Sequence, residues 1–351
     1  MTQATFTSPT TTPASQSTAE SHASAEKQLI DHALAPVAGE LQALAPHLTS
    51  LLKANTASGR HIIEHVLGAG GKRVRPALYF FVSKLVGYRG EHLLPMAAVC
   101  EYVHTASLLH DDVIDNSSLR RGKPTPNKIW GDESAVLVGD LIYSRASELM
   151  AETGSLEIVQ LFARAIRLMS DGELLQLEHL YNPAMPEKAY FEIIDNKTSV
   201  LLAAVCQAPA ILANAGQQEQ MALAEFGRCV GYAFQLLDDA LDYAGSDSIF
   251  GKKTLADLPE GKVTLPVILL KTHATTQEWA FVEGLIHNEE ISTDAMLKVL
   301  DLVNKYDTAG KTLEAAANWT DRALAALEIF PKSQNRSDLE ILARRLLMRF
   351  N

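Results

Sequence analysis

The sequence is poor in cysteine, in aromatic side chains and in positive charge. Its 351 residues include three cysteines, 7% aromatics, and 31 Lys or Arg against 42 Asp or Glu, for a formal charge of -11. The thiols at Cys100, Cys206 and Cys229 lie far apart in apolar surroundings without CxxC spacing, which predicts reduced core residues and fits a cytoplasmic compartment. The negative balance argues against a general nucleic-acid or anionic-membrane surface, because the long-range field repels polyanions. Any phosphate ligand therefore needs local cations. No apolar run approaches the roughly 18 residues of a membrane span. The first 24 residues hold twelve Ser or Thr, no Lys or Arg and no apolar stretch, which excludes a standard secretory leader, and the first arginine, Arg60, comes too late for a transit peptide. Residues 1–25 are expected to form a disordered tail, and residues 26–351 one domain.

Strand-like alternation is also missing. From Glu26 onward apolar residues recur at three and four, the period of an amphipathic helix, and 47% hydrophobic content can fill a large core. The expectation is an all-α single-domain bundle with a central cavity. Helices are expected from Leu29, over 77–86, from about Leu94 through Asp115, and over 135–151, 156–180, 190–215 and 221–244. Four more follow at about 277–286, 292–305, 309–328 and 337–349. Gly68-Ala-Gly-Gly71, Gly87-Tyr-Arg-Gly90 and Gly245 to Gly251 interrupt the pattern.

The feature that stands out is a repeated acidic triad. Asp111, Asp112 and Asp115 follow the apolar run ending at Leu109-His110, and Asp238, Asp239 and Asp242 follow Phe234-Gln-Leu-Leu237. On a helix the first and last carboxylates of each triad lie on one face, about 5.4 Å apart along the axis. A lone copy reads as a solvated helix end. Two copies, each with basic residues downstream, predict an acidic mouth, whose crowded carboxylates must take up protons or cations. Hard oxygen ligands with room for water suit Mg²⁺, completed by substrate phosphates. The ligand expected is a diphosphate.

Basic residues stand where they could hold it. Lys72, Arg73 and Arg75 join a glycine turn to a new helix N-terminus, a plausible phosphate site although also an ordinary basic turn. Arg120 and Arg121 lie in a polar loop after the first triad and could fold back over it. Lys197, with Thr198, sits inside an apolar helix, where its ammonium must reach water or an anion. Lys252, Lys253 and Lys262 follow the second triad.

These stretches resemble the trans-type polyprenyl diphosphate synthases, and most closely the bacterial octaprenyl diphosphate synthases. GGKRVRP at 70–76, LLHDDVIDNSSLRRGKP at 108–124, VLVGDLIYSRASELM at 136–150, KTS at 197–199, FQLLDDALD at 234–242, GKK at 251–253 and EGKVTLP at 260–266 match in order. The likeness spans nearly the whole chain after the tail. It implies that Asp111, Asp115 and Asp238 bind Mg²⁺ bridging an allylic diphosphate, with Asp112, Asp239 and Asp242 supporting. Arg120, Lys197 with Thr198, Lys252 and Lys262 would hold that diphosphate, with Gln235 nearby. Isopentenyl diphosphate would sit against Lys72, Arg75, His104 and Arg121. The family is all-helical and usually homodimeric. Its basic C-terminal tail is not matched by Arg344-Arg-Leu-Leu-Met-Arg-Phe-Asn351.

The implied reaction adds isopentenyl diphosphate repeatedly to an allylic primer such as farnesyl diphosphate, giving octaprenyl diphosphate for quinone side chains and handing it to a membrane without spanning it. Product length is expected to depend on Val103, Ala106 and Ser107, one to two turns below Asp111, with Met150 as the floor that the resemblance supplies. All three positions on the motif helix are small or modest, so a growing chain can pass. Geranylgeranyl, heptaprenyl and nonaprenyl products are the neighbouring alternatives. A terpene cyclase is disfavoured by the second aspartate triad, and a non-catalytic synthase subunit by the complete set of aspartates and basic partners.

Overall fold

The stretch from Leu93 to Ile114 is apolar on nearly every side, and a helix of that kind is stable only when surrounded. In the computed structural model it is the central helix of an all-α bundle. The structure describes residues 31–68, 70–71, 73–243, 255–288 and 291–347. The expected tail lies outside them.

Ahead of the central helix come α1 (Ala38–Ser50), α2 (Ala57–Leu67) and α3 (Val74–Leu85), and the central helix itself is α4 (Leu93–Ile114). A two-stranded hairpin follows, β1 (Leu119–Arg120) with β2 (Lys123–Pro124), then α5 (Pro126–Trp130), α6 (Asp132–Glu152) and α7 (Leu156–Glu178). Next are α8 (Glu187–Ile194), α9 (Val200–Leu212) and α10 (Gln217–Asp242). The C-terminal part holds α11 (Leu265–His273), α12 (Thr276–Ile286), α13 (Thr293–Tyr306), α14 (Thr308–Ala326) and α15 (Gln334–Leu347). Pro36 restarts the chain through a short 3-10 turn at Ala35–Val37. Among the described residues no helix is long and apolar enough to cross a membrane.

Two apolar clusters hold the bundle together. One joins α1 to α4, α6, α7, α9, the first half of α10 and α15, with Tyr79, Phe80, Phe81, Tyr102 and Phe162 fully enclosed. Each such side chain contributes on the order of 1.5–3 kcal/mol. The other gathers α8, α11, α13 and α14 around Leu236, Tyr243, Leu258 and Val299. Both contain residues of α10, Phe226 and Cys229 in the first and Leu236 in the second, and Trp319 packs against both. Helix α10 and Trp319 thus link the two clusters.

The sequence reading differs from the structure at four places, one of them the short α5 at Pro126–Trp130, where no helix is expected. The loop after Asp115 is a hairpin, with Leu119 opposite Pro124 and Arg120 opposite Lys123. Its turn residues Arg121 and Gly122 both have positive φ, 53° and 75°, as a two-residue turn matched to strand twist requires. Strands of two residues are too short to show alternation. The helix α11, at 265–273, falls in a stretch for which no helix is expected. The segment expected as one helix over 190–215 is broken by a single π-helical turn at Asp195–Ser199.

Two glycines make room for that turn. A Cβ on Gly172 of α7 would come within 2.6 Å of Asn196 Cβ and 3.0 Å of Lys197 N, and one on Gly231 of α10 within 2.5 Å of Ser199 Cα. Replacing Gly231 with alanine is expected to cost about 1–3 kcal/mol by overpacking. Equilibrium urea unfolding of Gly231→Ala against wild type checks this, with an unchanged midpoint as the contrary result.

Candidate active site

The first triad ends α4 and the second ends α10, so helix geometry sets the spacing within each. The segment between α10 and α11 joins one to the other. Backbone N–H groups of Ala256 and Asp257 donate to the Asp242 carboxylate at 2.9 and 3.1 Å. Lys262 N donates to Asp257 O at 2.9 Å, which turns the segment back so that Lys262 Nζ comes 3.5 Å from Asp115 Oδ2. A segment anchored on the second acidic helix end thus places a lysine beside the first.

Three of the triad carboxylates are held by hydrogen-bond donors from elsewhere in the chain. Asp112, Asp239 and Asp242 are acceptors of protein donors. Arg120 Nε donates to Asp112 Oδ1 at 2.7 Å. Tyr190 Oη donates to Asp239 Oδ2 and Gln235 Nε2 to Asp239 Oδ1, the latter at 2.8 Å, while Thr198 Oγ1 donates to Gln235 Oε1 at 3.0 Å. Asp111 instead faces the ammonium of Lys197 and the carboxylate of Glu173. Burial is the main reason that its carboxyl is pushed up to about 6, with Lys197 pulling down and Glu173 and Asp115 pushing up. Asp239 rises to about 7, again chiefly by burial and against the hydrogen bonds from Tyr190 and Gln235. Asp257 is also raised, by burial and then by Asp239 and Asp242.

A set of acids that resists ionising because it is buried, with like charges nearby, fits a divalent cation. Among the described residues no three His, Cys, Asp or Glu side chains already close around an ion.

The cations lie in two groups. Lys197 stands in the π-helical turn, 2.5 Å from Glu173 Oε2 and 3.0 Å from Gln176 Oε1. Lys262 bonds Glu260 at 2.7 Å, and Glu260 with Asp115 outweighs burial to push its ammonium up to about 12. Beside them, a small cleft runs between α2, α4 and the hairpin, lined by Arg73, Glu101, His104, Arg120 and Arg121 among others. Arg73 pairs with the buried Glu101. Arg121 donates to Gly70 O, and its guanidinium takes the space that a side chain at Gly71 would fill. The Arg75 Nε is buried without a hydrogen-bond partner, and burial lowers that guanidinium to about 10, still cationic at neutral pH. His104 is held well below the usual histidine range by burial and by Arg75, Arg121, Arg120 and Arg73, so its ring is neutral.

Of the residues singled out in the sequence, Arg120 reaches Asp112, Lys197 and Asp115 act on Asp111, Lys262 approaches Asp115, and Thr198 reaches Asp239 through Gln235, while Arg75, Arg120 and Arg121 act together on His104. Val103, Ala106 and Met150 are buried in the first apolar cluster, and the half-buried Ser107 donates to His104 O at 2.9 Å. Lys72 and Lys252 lie outside the described residues. The sequence reading missed Glu173, Gln176, Tyr190 and Asp257. Tyr190 precedes Lys197 by seven residues, about two helical turns, and Glu173 with Gln176 follows Gly172 on one face of α7. Those spacings were the available signals.

The polyprenyl synthetase family model matches residues 58–303, which include every acid and cation just described. The chain belongs to that family. It is 37% identical over 279 residues to octaprenyl diphosphate synthase of Escherichia coli (strain K12), covering 80% of this chain and 86% of that protein. A decaprenyl diphosphate synthase from Rhodobacter capsulatus superposes with a TM-score of 0.87 at 36% identity, over 91% of this chain and 99% of the other. A polyprenyl synthase from Caulobacter crescentus CB15, complexed with calcium and isoprenyl diphosphate, gives 0.86 at 37% identity, over 91% and 97%. This polyprenyl synthetase family member is a prenyltransferase with the all-α isoprenoid synthase fold.

The raised carboxyls have a consequence for stability. Between the unfolded value near 4 and the folded values of about 6 for Asp111 and about 7 for Asp239, the native state holds more protons than the unfolded chain. Their contribution to stability therefore falls as pH rises through that window and stays low above it. Metal-free synthase is expected to lose melting temperature between pH 5 and 8 and to regain it with millimolar Mg²⁺, more at pH 8 than at pH 5, as differential scanning fluorimetry would record. Equal Mg²⁺ shifts at both pH values would contradict this.

Proposed function

We propose that this prenyltransferase adds isopentenyl diphosphate repeatedly, in trans, to farnesyl diphosphate, yielding octaprenyl diphosphate for quinone side chains. It does so with Mg²⁺, as a homodimer in the cytoplasm, and passes its product to a membrane at the surface. The observation that carries the reading is that the segment held by Asp242 through the backbone of Ala256 and Asp257 brings Lys262 to Asp115, with Lys197 beside Asp111 and Arg120 on Asp112. The octaprenyl length rests on the Escherichia coli relative, and the metal on the calcium in the Caulobacter structure. The exposed Leu137 of α6 and Leu174 of α7, at 66% and 60%, support a surface covered by a second subunit. Three free, buried cysteines agree with a reducing compartment.

In this reading Asp111, Asp115 and Asp238 hold the metal, while Asp112, Asp239 and Asp242 are oriented by Arg120, by Tyr190 with Gln235, and by the backbone of Ala256 and Asp257. Mg²⁺ supplies positive charge against the negative charge that gathers on the diphosphate as its carbon–oxygen bond breaks. Lys197, Lys262 and Arg120 hold the same oxygens, as would Lys252. The bonding pair leaves with the diphosphate, and the double bond of isopentenyl diphosphate supplies the electrons for the new carbon–carbon bond. Loss of a proton from the adduct to the departed diphosphate restores an allylic unit. Arg75, Arg121 and Lys72 anchor the isopentenyl diphosphate, and His104 meets it as a neutral hydrogen-bonding ring.

Asp111→Ala and Asp238→Ala are each expected to lower turnover more than about 10²-fold while leaving the circular dichroism spectrum intact. The assay uses Mg²⁺, farnesyl diphosphate and radiolabelled isopentenyl diphosphate. Near-normal turnover would remove the metal assignment, and a cyclic product would make the protein a terpene cyclase. The same assay read by chain length tests Ala106→Phe, which is expected to shorten the product by several isoprene units. A folded variant with unchanged product length would show that the chain does not grow along this face of α4.

A further inference from the structure

Glu173 has no part in the mechanism above, yet it is the acid to which Lys197 is bound. Its Oε2 lies 2.5 Å from Lys197 Nζ, and the two side chains are only 13% and 23% exposed. Gln176, one turn further along α7, braces both partners. Its Oε1 accepts from Lys197 at 3.0 Å and its Nε2 donates to Glu173 Oε1 at 3.3 Å. The contact depends on close approach of two helices, since Gly172 leaves the space into which Asn196 and Lys197 press. Glu173 is also near enough to Asp111 to push its carboxyl up. It therefore belongs to the mouth electrostatically while belonging to neither triad.

We propose that Glu173 is a positioning residue that holds Lys197 ready between cycles and competes with diphosphate for it, so hastening release of the diphosphate product. The inference rests on the reading of Lys197 as a ligand of the allylic diphosphate. A lysine ammonium this deeply set needs an anion, and Glu173 is that anion while the site has no substrate. When diphosphate takes over the ammonium, the Glu173 carboxylate is left beside Asp111 and beside the incoming phosphate oxygens, all of one sign. The repulsion weakens the hold on every diphosphate at this position. An allylic substrate offsets that loss by burying its prenyl chain, whereas free diphosphate has nothing apolar to bury. The departing group is thus held less firmly than the group that replaces it, which matters in an enzyme that must expel diphosphate once per isoprene unit added.

The test uses the full-length enzyme with saturating Mg²⁺ and inorganic diphosphate as the probe. Glu173→Gln keeps the size and the hydrogen bonds while removing the charge. It is expected to lower the inhibition constant of diphosphate about tenfold and to lower steady-state turnover. The single-turnover rate of the first condensation should stay within about twofold. Glu173→Asp keeps the charge and is expected to leave the inhibition constant within about threefold of wild type. An inhibition constant unchanged in Glu173→Gln overturns the inference, as does equal tightening in both variants, which would mark lost packing rather than lost charge. Lys197→Ala separates the two layers of the argument. If it leaves the KM for farnesyl diphosphate unchanged, the Lys197 reading itself fails. If it raises that KM while Glu173→Gln has no effect, only the role of Glu173 is lost.

Discussion

The structure depends on the enforced closeness of carboxylates that the fold does not fully neutralise. Asp111, Asp239 and Asp257 all resist ionisation because they are buried among their own kind, and helix packing keeps them there. The folded chain tolerates this in part by distributing donors. Arg120, Tyr190, Gln235 and the backbone at 256–257 each satisfy one member of a triad, leaving a smaller deficit of positive charge at the mouth. That deficit is what makes the site receptive to a divalent cation together with a ligand bearing diphosphate.

The cations obey a matching rule. Arg120 is taken up by Asp112, Lys197 by Glu173, Arg73 by Glu101, and Lys262 by Glu260 and Asp115. Buried charge is costly when unpaired, so a site meant to bind a polyanion must carry its own temporary anions. Arg75 differs, since its buried Nε has no hydrogen-bond partner and its guanidinium feels Glu101 and, more weakly, the repulsion of Arg121. An acceptor there would relieve a cost already present in the fold.

Much of this was legible in the sequence because the relevant spacings are local. The all-α class follows from the three-and-four recurrence of apolar residues, and the acidic ends of α4 and α10 follow from aspartates at i, i+1 and i+4. What remained hidden was set by contacts between distant segments. Tyr190 reaches Asp239 across 49 residues, and Lys197 reaches Gln176 across 21. No periodicity reports such pairs. The π-helical turn at Asp195–Ser199 was invisible for a similar reason, since its cause lies in Gly172 and Gly231 on two other helices. The hairpin after Asp115 escaped because its strands are two residues long, although Arg121-Gly122 is a turn pair once the flanking register is known.

The helix α10 runs through both apolar clusters before it ends in its aspartates. A rod shared in this way couples the two halves mechanically: neither cluster can loosen without tugging the same 26-residue element. The C-terminal helices packed in the second cluster therefore rest on the same element that carries the second triad, and its placement is fixed from both sides.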